Sequence, residues 1–212
     1  MLFRSARGEA VPFLQLASAS PPKRIVAWLN DRGASAALFA NKPIDALRLL
    51  LDAGTQVAAI NLFGQGSAKP EDPEITTQRL VKNPREAPAY TLGYNDALFS
   101  QRVHDVLTFI EQTRQSAGRE MKIHLVASGR TSPIAAAAAA IAGDAVDGLA
   151  IEAAESPFAK ITDWRDVNLL PGAVKYGDLE ALLKLIAPRP VIFFKSDAER
   201  TVAIEKLVSG TH

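Results

Sequence analysis

Two hydrophobic periods alternate along the chain. Val11 to Ala17 carries the alternating pattern of a strand, with Val11, Phe13, Gln15 and Ala17 at every second position. Arg24 to Leu29 (Arg-Ile-Val-Ala-Trp-Leu) is almost continuously apolar, as in a strand covered on both faces, and it ends in the polar turn Asn30-Asp31-Arg32-Gly33. Val57–Leu62, Ile123–Ala127, Val146–Ile151 and Val191–Phe194 read as further buried strands. Between them the period changes to that of a helix. Over Ile44–Ala53, residues Leu47, Leu50 and Leu51 share one face and Gly54 is a stop signal. Over Asn95–Gln115, residues Leu98, Val103, Val106, Leu107 and Ile110 mark a buried stripe. Ser132–Ala142, Leu179–Ile186 and Ala198–Val208 complete the predicted helices. Ala68–Ala89, with four prolines and many charges, and Pro157–Pro171 read as irregular excursions.

Strands alternating with helices predict an α/β fold, a mostly parallel sheet with helices on both faces and right-handed crossovers. In such sheets ligands bind beyond the carboxyl ends of the strands. The loops of interest are therefore those at Asn30, Asn61–Ser67, Ser128–Ser132 and Lys195–Arg200.

Composition narrows the function. A length of 212 residues predicts one domain over 1–212. Hydrophobic residues make up 48% and charged residues 22%, ordinary for a chain that buries a core. The net charge of +1 supplies no global field to attract nucleic acid or a membrane surface. The absence of cysteine removes disulfides, thiolate catalysis and cysteine-ligated metal. Three widely spaced histidines give no paired ligand spacing, so no metal site is expected. The longest apolar candidate for a span, Pro133–Gly143, is far short of the roughly 20 residues a bilayer requires. The N-terminus lacks the apolar core of a signal peptide.

The stretch Met121–Ala142 carries the chemical question. A strand, a tight Ser128-Gly129-Arg130-Thr131-Ser132 turn and a helix of small residues follow one another directly, the shape that presents a nucleophile on a sharp elbow. The elbow motif needs Gly-x-Ser-x-Gly, and the chain contains none; Ala127, Gly129 and Thr131 stand where Gly, Ser and Gly would. Gly129 suits the positive φ of the tip but has no side chain to attack with. Ser128 and Ser132 flank it and are the substitute nucleophile candidates, with turn hydrogen bonding and helix capping as the alternative roles. Asp197, just after the strand Val191–Phe194, is the candidate acid, or else an N-cap of the next helix. Of the histidines, His104 in a helix and His124 in a strand read as structural, and only His212 follows the acid in sequence. Asn30 and Asp31 occupy the loop that would offer a backbone oxyanion donor. The Ser128–Ser132 turn at a helix N-terminus could alternatively cradle an anion, with Arg130 adding charge.

Longer motifs carry a family resemblance. Tyr176-Gly177-Asp178-Leu179, Leu183–Ile186 and Ala187-Pro188-Arg189-Pro190-Val191 resemble the late segment of acetylxylan-esterase-like α/β-hydrolases, relatives of dienelactone hydrolases and prolyl-oligopeptidase-type peptidases. Tyr94-Asn95 and Arg102-Val103-His104-Asp105-Val106 are similar to the helix before their elbow, and Asn61-Leu62-Phe63-Gly64-Gln65-Gly66 to their Asp-x-x-Gly-x-Gly loop. The resemblance implies an α/β-hydrolase fold and a cofactor-free carboxylic-ester hydrolase, often acting on acetyl groups of sugars. It maps the nucleophile to Gly129, the acid to Asp197 and the oxyanion donors to the backbones of Asn30 and Arg130. The final strand of the pattern and its histidine loop have no counterpart in the sequence, as expected of a non-catalytic member or of a chain truncated at its C-terminus. The expectation is thus a degenerate ester hydrolase, or a non-catalytic member binding a small ester, carbohydrate or anion.

Overall fold

A computed structural model describes residues 2–4, 10–17, 21–39, 44–65, 74–78, 81, 88–153 and 157–210. Seven strands, β1 (Leu2–Arg4), β2 (Ala10–Leu16), β3 (Arg24–Leu29), β4 (Thr55–Ile60), β5 (Lys122–Ala127), β6 (Gly148–Glu152) and β7 (Val191–Phe194), form one sheet in the order β1-β2-β4-β3-β5-β6-β7. β1 and β2 run antiparallel to their neighbours, and β4, β3, β5, β6 and β7 are parallel. Among the described residues the sheet ends at β7.

Side-chain alternation divides the core. Ile25, Ala27 and Leu29 of β3, with Ile123, Leu125 and Ala127 of β5, face one layer containing α4 (Leu98–Ala117), α5 (Ser132–Ala142) and α6 (Asp178–Lys184). Val26 and Trp28 of β3, with Val126 of β5, face the other layer of α1 (Ala34–Phe39), α2 (Ile44–Asp52) and α7 (Asp197–Ser209). This two-sided burial explains the continuous apolar runs of the central strands. The alanines of α5 are consumed by the same logic: Ala135, Ala136, Ala138 and Ala139 are fully buried, and their small size lets the helix lie close on the sheet.

Three elements escaped the sequence reading: the three-residue β1, α1 immediately after the Asn30–Gly33 turn, and α3 (Pro88–Leu92). α1 starts where its sequence carries no capping side chain. The cap comes from elsewhere: the Ala34 N–H donates to Asn61 Oδ1 at 2.6 Å, joining the loops after β3 and β4. Most of the excursion predicted over 68–89 lies outside the described residues.

Distant arginines hold one helix end and one loop. Arg189 donates to the carbonyls of Ala139 and Gly143 at 2.9 and 2.7 Å, satisfying the end of α5. Arg102 of α4 is buried at 4% exposure and donates to the carbonyls of Phe63 and Ile75 at 3.1 and 3.3 Å. It ties the loop after β4 to the layer beneath the elbow. Burial pushes its pKa down, opposed chiefly by Glu74.

Candidate functional site

β3 pairs with β4 on one side and β5 on the other, so the chain reverses its direction of growth at β3. Beyond the carboxyl ends at this switch point the neighbouring loops diverge and leave a crevice. Asp31 follows β3, Gly129 follows β5 and Glu152 ends β6, and the structure brings all three to one cavity of about 320 Å³. Arg130, Lys160, Asp166 and Asn168 contribute further polar walls. A second cavity of about 300 Å³ shares Asp31, Arg130 and Asp166 and reaches Gln65 and Arg102.

The turn has the backbone of an elbow. Ser128 is extended at φ −120°, and Gly129 turns to φ +61°, the left-handed region that glycine enters without penalty. Ser128 N–H still donates to Leu29 O at 3.2 Å, Thr131 Oγ1 donates to Ser128 O at 2.8 Å, and Ser132 Oγ donates to Ala127 O at 3.3 Å. The sequence places a cap on Ser132; in the structure Thr131 precedes the helix and Ser132 is its first residue, fully buried, with Pro133 next. Ser128 Oγ is buried without a partner. Neither serine lines either cavity among the described residues.

Two carboxylates converge on Gly129. Its N–H donates to Glu152 Oε2 at 2.6 Å. A Cβ built on it would stand 2.6 Å from Asp31 Oδ2 and 3.1 Å from Asp31 Cγ. The volume that a side chain at the tip would fill is therefore taken by the Asp31 carboxylate. Asp31 is held there through its backbone, whose carbonyl accepts from Gln65 Nε2 at 3.1 Å. Asn30 makes a local turn instead, its Oδ1 accepting from Arg32 N–H at 2.9 Å. Arg130 pairs with Asp166, and its carbonyl accepts from Asn168 Nδ2 at 2.7 Å.

Asp197 stands apart from this group. It is the first residue of α7, is exposed, and pairs with Arg200 at 2.9 Å. Arg200 lies over the Trp28 ring at 5.2 Å, so the pair fastens α7 to β3 on the other face of the sheet. The cap expected of Asp197 belongs to Ser196, whose Oγ accepts from Glu199 N–H at 3.2 Å. His212 lies outside the described residues. His104 is exposed on α4, with Nδ1 3.4 Å from Thr108 Oγ1, and His124 is buried in β5. No histidine lines either cavity among the described residues.

The sequence reading missed Glu152, Lys160, Asp166 and Asn168. Glu152 had a usable signal, since it directly follows the predicted strand Val146–Ile151 and so falls at a carboxyl end. The other three lie in the irregular segment 157–171 and carry no local pattern.

Among the described residues no group of three or more histidines and carboxylates could hold a metal ion, and no helix is long and apolar enough to cross a membrane. No protein-family model and no curated protein sequence matches this chain. Solved structures do. Est1E from Butyrivibrio proteoclasticus, with ferulic acid bound, is 13% identical, with a TM-score of 0.57 over 98% of this chain and 85% of that one. DcsB, in complex with its substrate analogue, is 11% identical, with a TM-score of 0.57 over 97% of this chain and 84% of that one. A thermostable carboxyl esterase from Bacillus coagulans, in complex with glycerol, is 18% identical with a TM-score of 0.50; the match covers 83% of this chain but only 46% of that esterase. At such identities the likeness is one of architecture, and together with the strand order it shows that the chain has the α/β-hydrolase fold.

Proposed function

We propose that this chain binds a small molecule at the crevice beside Gly129 and does not carry out serine-hydrolase chemistry there. The observation that carries this reading is the Asp31 carboxylate, which occupies the space of a side chain at the elbow tip. Nucleophilic ester hydrolysis needs a hydroxyl there and a base within hydrogen-bond reach. The tip is glycine, and the described histidines are outside the cavity walls. The scaffold around the tip supports binding: a cavity of about 320 Å³ is within the size range of small-molecule sites. Attack by Ser128 or Ser132 is the weaker reading, because both hydroxyls are buried beneath the turn. Anion capture by the turn is also weaker, because Glu152 already accepts the Gly129 N–H and is itself the resident anion.

The test has two arms. A fluorophosphonate probe and p-nitrophenyl acetate are offered to wild type, Ser128→Ala and Ser132→Ala. No stoichiometric label and no turnover above buffer are expected, and turnover abolished by either alanine would refute the non-catalytic reading. In the second arm, amide spectra are recorded with a panel of small esters, sugars, amines and carboxylates. Saturable shifts clustered at Gly129, Arg130 and Glu152 are expected from at least one compound; a panel that leaves these amides unmoved would refute the binding site.

A further inference from the structure

The second cavity, of about 300 Å³, has a feature the crevice lacks, a buried cation without a counterion on its wall. Arg102 of α4 is 4% exposed, and its guanidinium reaches the loop after β4, where Ile75 walls the same cavity. Nε donates to Phe63 O and Nη2 to Ile75 O. A guanidinium has five N–H donors, and neither of those on Nη1 has a partner among the described residues. Nη1 is not occluded, unlike the Nε atoms of Arg114 and Arg200, which are sealed off without a partner. Among the described residues no carboxylate lies within ion-pair distance of this group. Asp105, three residues along α4, instead accepts from the Phe63 N–H at 2.6 Å. Buried charges are ordinarily paired, because two carbonyl dipoles do not replace the hydration of a full charge.

We infer that this second cavity takes the carboxylate of a small organic acid, seated on the Nη1 edge of Arg102. The other polar walls leave that edge as the anchor. Gln65 is committed at both ends of its amide, to Asp31 O and to Leu62 N–H, and Thr131 Oγ1 to Ser128 O. The charges of Arg130 and Asp166 are paired with each other. Asp31 directs its carboxylate at Gly129, which walls the crevice and not this cavity, and Glu74 is exposed, where solvent screens it. A planar carboxylate matches the geometry of a guanidinium, and the reduced dielectric around so buried a group strengthens the pairing. A cavity of about 300 Å³ also has room for a ring behind the carboxylate. The inference goes beyond the crevice reading, because Arg102 is no wall of the crevice and the two sites are read by different amides.

The experiment uses three probes of similar shape: benzoate, benzamide and benzylamine. Each is titrated at pH 7 into the full chain and followed by NMR. The amides of Gln65, Ile75 and Thr131 report this cavity, and those of Gly129 and Glu152 report the crevice. Benzoate should shift the first group saturably and bind at least about tenfold more tightly than benzamide, as a hydrogen bond between charged groups implies. Benzylamine should leave that group unmoved. Arg102→Met should remove the advantage of benzoate over benzamide. If that variant does not fold, the wild type decides: benzoate should shift the Arg102 guanidinium resonances and raise the urea midpoint, and benzamide should do neither. Benzamide or benzylamine binding as tightly as benzoate overturns the inference. So does a benzoate advantage that survives Arg102→Met, or a guanidinium unmoved by saturating benzoate. Benzoate shifts confined to Gly129 and Glu152 overturn it in favour of an acid in the crevice. Silence of all three probes at Gln65, Ile75 and Thr131 overturns it as well, while the crevice reading stands or falls on its own panel.

Discussion

His124 offers the sharpest test of which histidines can act as bases. It lies in β5 with 5% of its surface exposed, and neither ring nitrogen has a hydrogen-bond partner. Desolvation pushes its pKa down from 6.5 to about 4, with Asp147 opposing and Arg24 and Lys122 adding to the fall. The ring is therefore neutral in the folded state over a range where the unfolded chain binds a proton. The sign follows directly. Above pH 6.5 neither state is protonated and the group contributes no pH dependence. As pH falls from 6.5 to about 4, the unfolded state gains a proton that the folded state refuses, and stability is lost. At about 1.4 kcal/mol per pKa unit, the shift implies a loss of about 3 kcal/mol across that window, a large fraction of a typical domain's stability. His124→Leu keeps an apolar side chain of similar size beside Leu207 and Pro190, whose atoms approach the neighbouring Gly148 position. Urea unfolding of both proteins at steps between pH 7 and pH 4 isolates this residue, because the other groups titrate in both. The leucine variant should gain about 3 kcal/mol relative to wild type over the window and be no less stable at pH 7, where removal of two unpartnered nitrogens offsets any packing loss. Parallel curves for the two proteins would refute the reasoning, and would return His124 to the list of groups able to take up a proton near neutrality.

Gly129→Ala should destabilise by about 1–2 kcal/mol from its left-handed backbone alone, and part of any excess, but not the backbone share, should disappear in an Asp31→Ala background; a double-mutant cycle by chemical denaturation measures both. Arg102→Met should cost about 3 kcal/mol or more by unfolding the tether to Phe63 and Ile75, with the loss read by denaturation and by faster amide exchange after β4. Asp178 sits at φ +55° and its carboxylate accepts from Phe158, Ala159 and Leu179 N–H groups. Asp178→Ala should therefore cost about 2–3 kcal/mol and raise amide exchange over 157–161, where Pro157, Lys160 and Ile161 wall the cavity. Asp197→Asn should leave any residual esterase signal unchanged, because its carboxylate is paired with Arg200 on the far face; a selective loss of turnover would contradict that placement.

The fold was legible because its strongest signal is local. β3, β5 and β7 are apolar runs bounded by turn residues, and observed β3 and β7 coincide with their predicted bounds. Helix α5 matched residue for residue because Pro133 and Gly143 mark its two ends. Elements stabilised by partners remote in sequence were less legible. α1 takes its cap from Asn61, 27 residues away, and β1 is a three-residue strand that exists through pairing with β2. The site divides along the same line. Gly129 could be recognised as an elbow tip lacking a side chain, since strand, turn and helix are contiguous. What fills the missing volume could not be read, because Asp31 lies 98 residues earlier and Glu152 23 residues later, and only the parallel register of β3, β5 and β6 aligns their ends. The placement of Asp197 shows the same dependence in reverse. Its place after β7 is right for an acid, but the Arg200 guanidinium, itself positioned by Trp28 of β3, draws it to the opposite layer. The resemblance supplied a topology, and the topology put different carboxylates at the tip from those the motif order assigned. Chemistry at the crevice therefore follows from which strand ends are neighbours, and those ends bring the Asp31 and Glu152 carboxylates, not a hydroxyl, to the glycine tip.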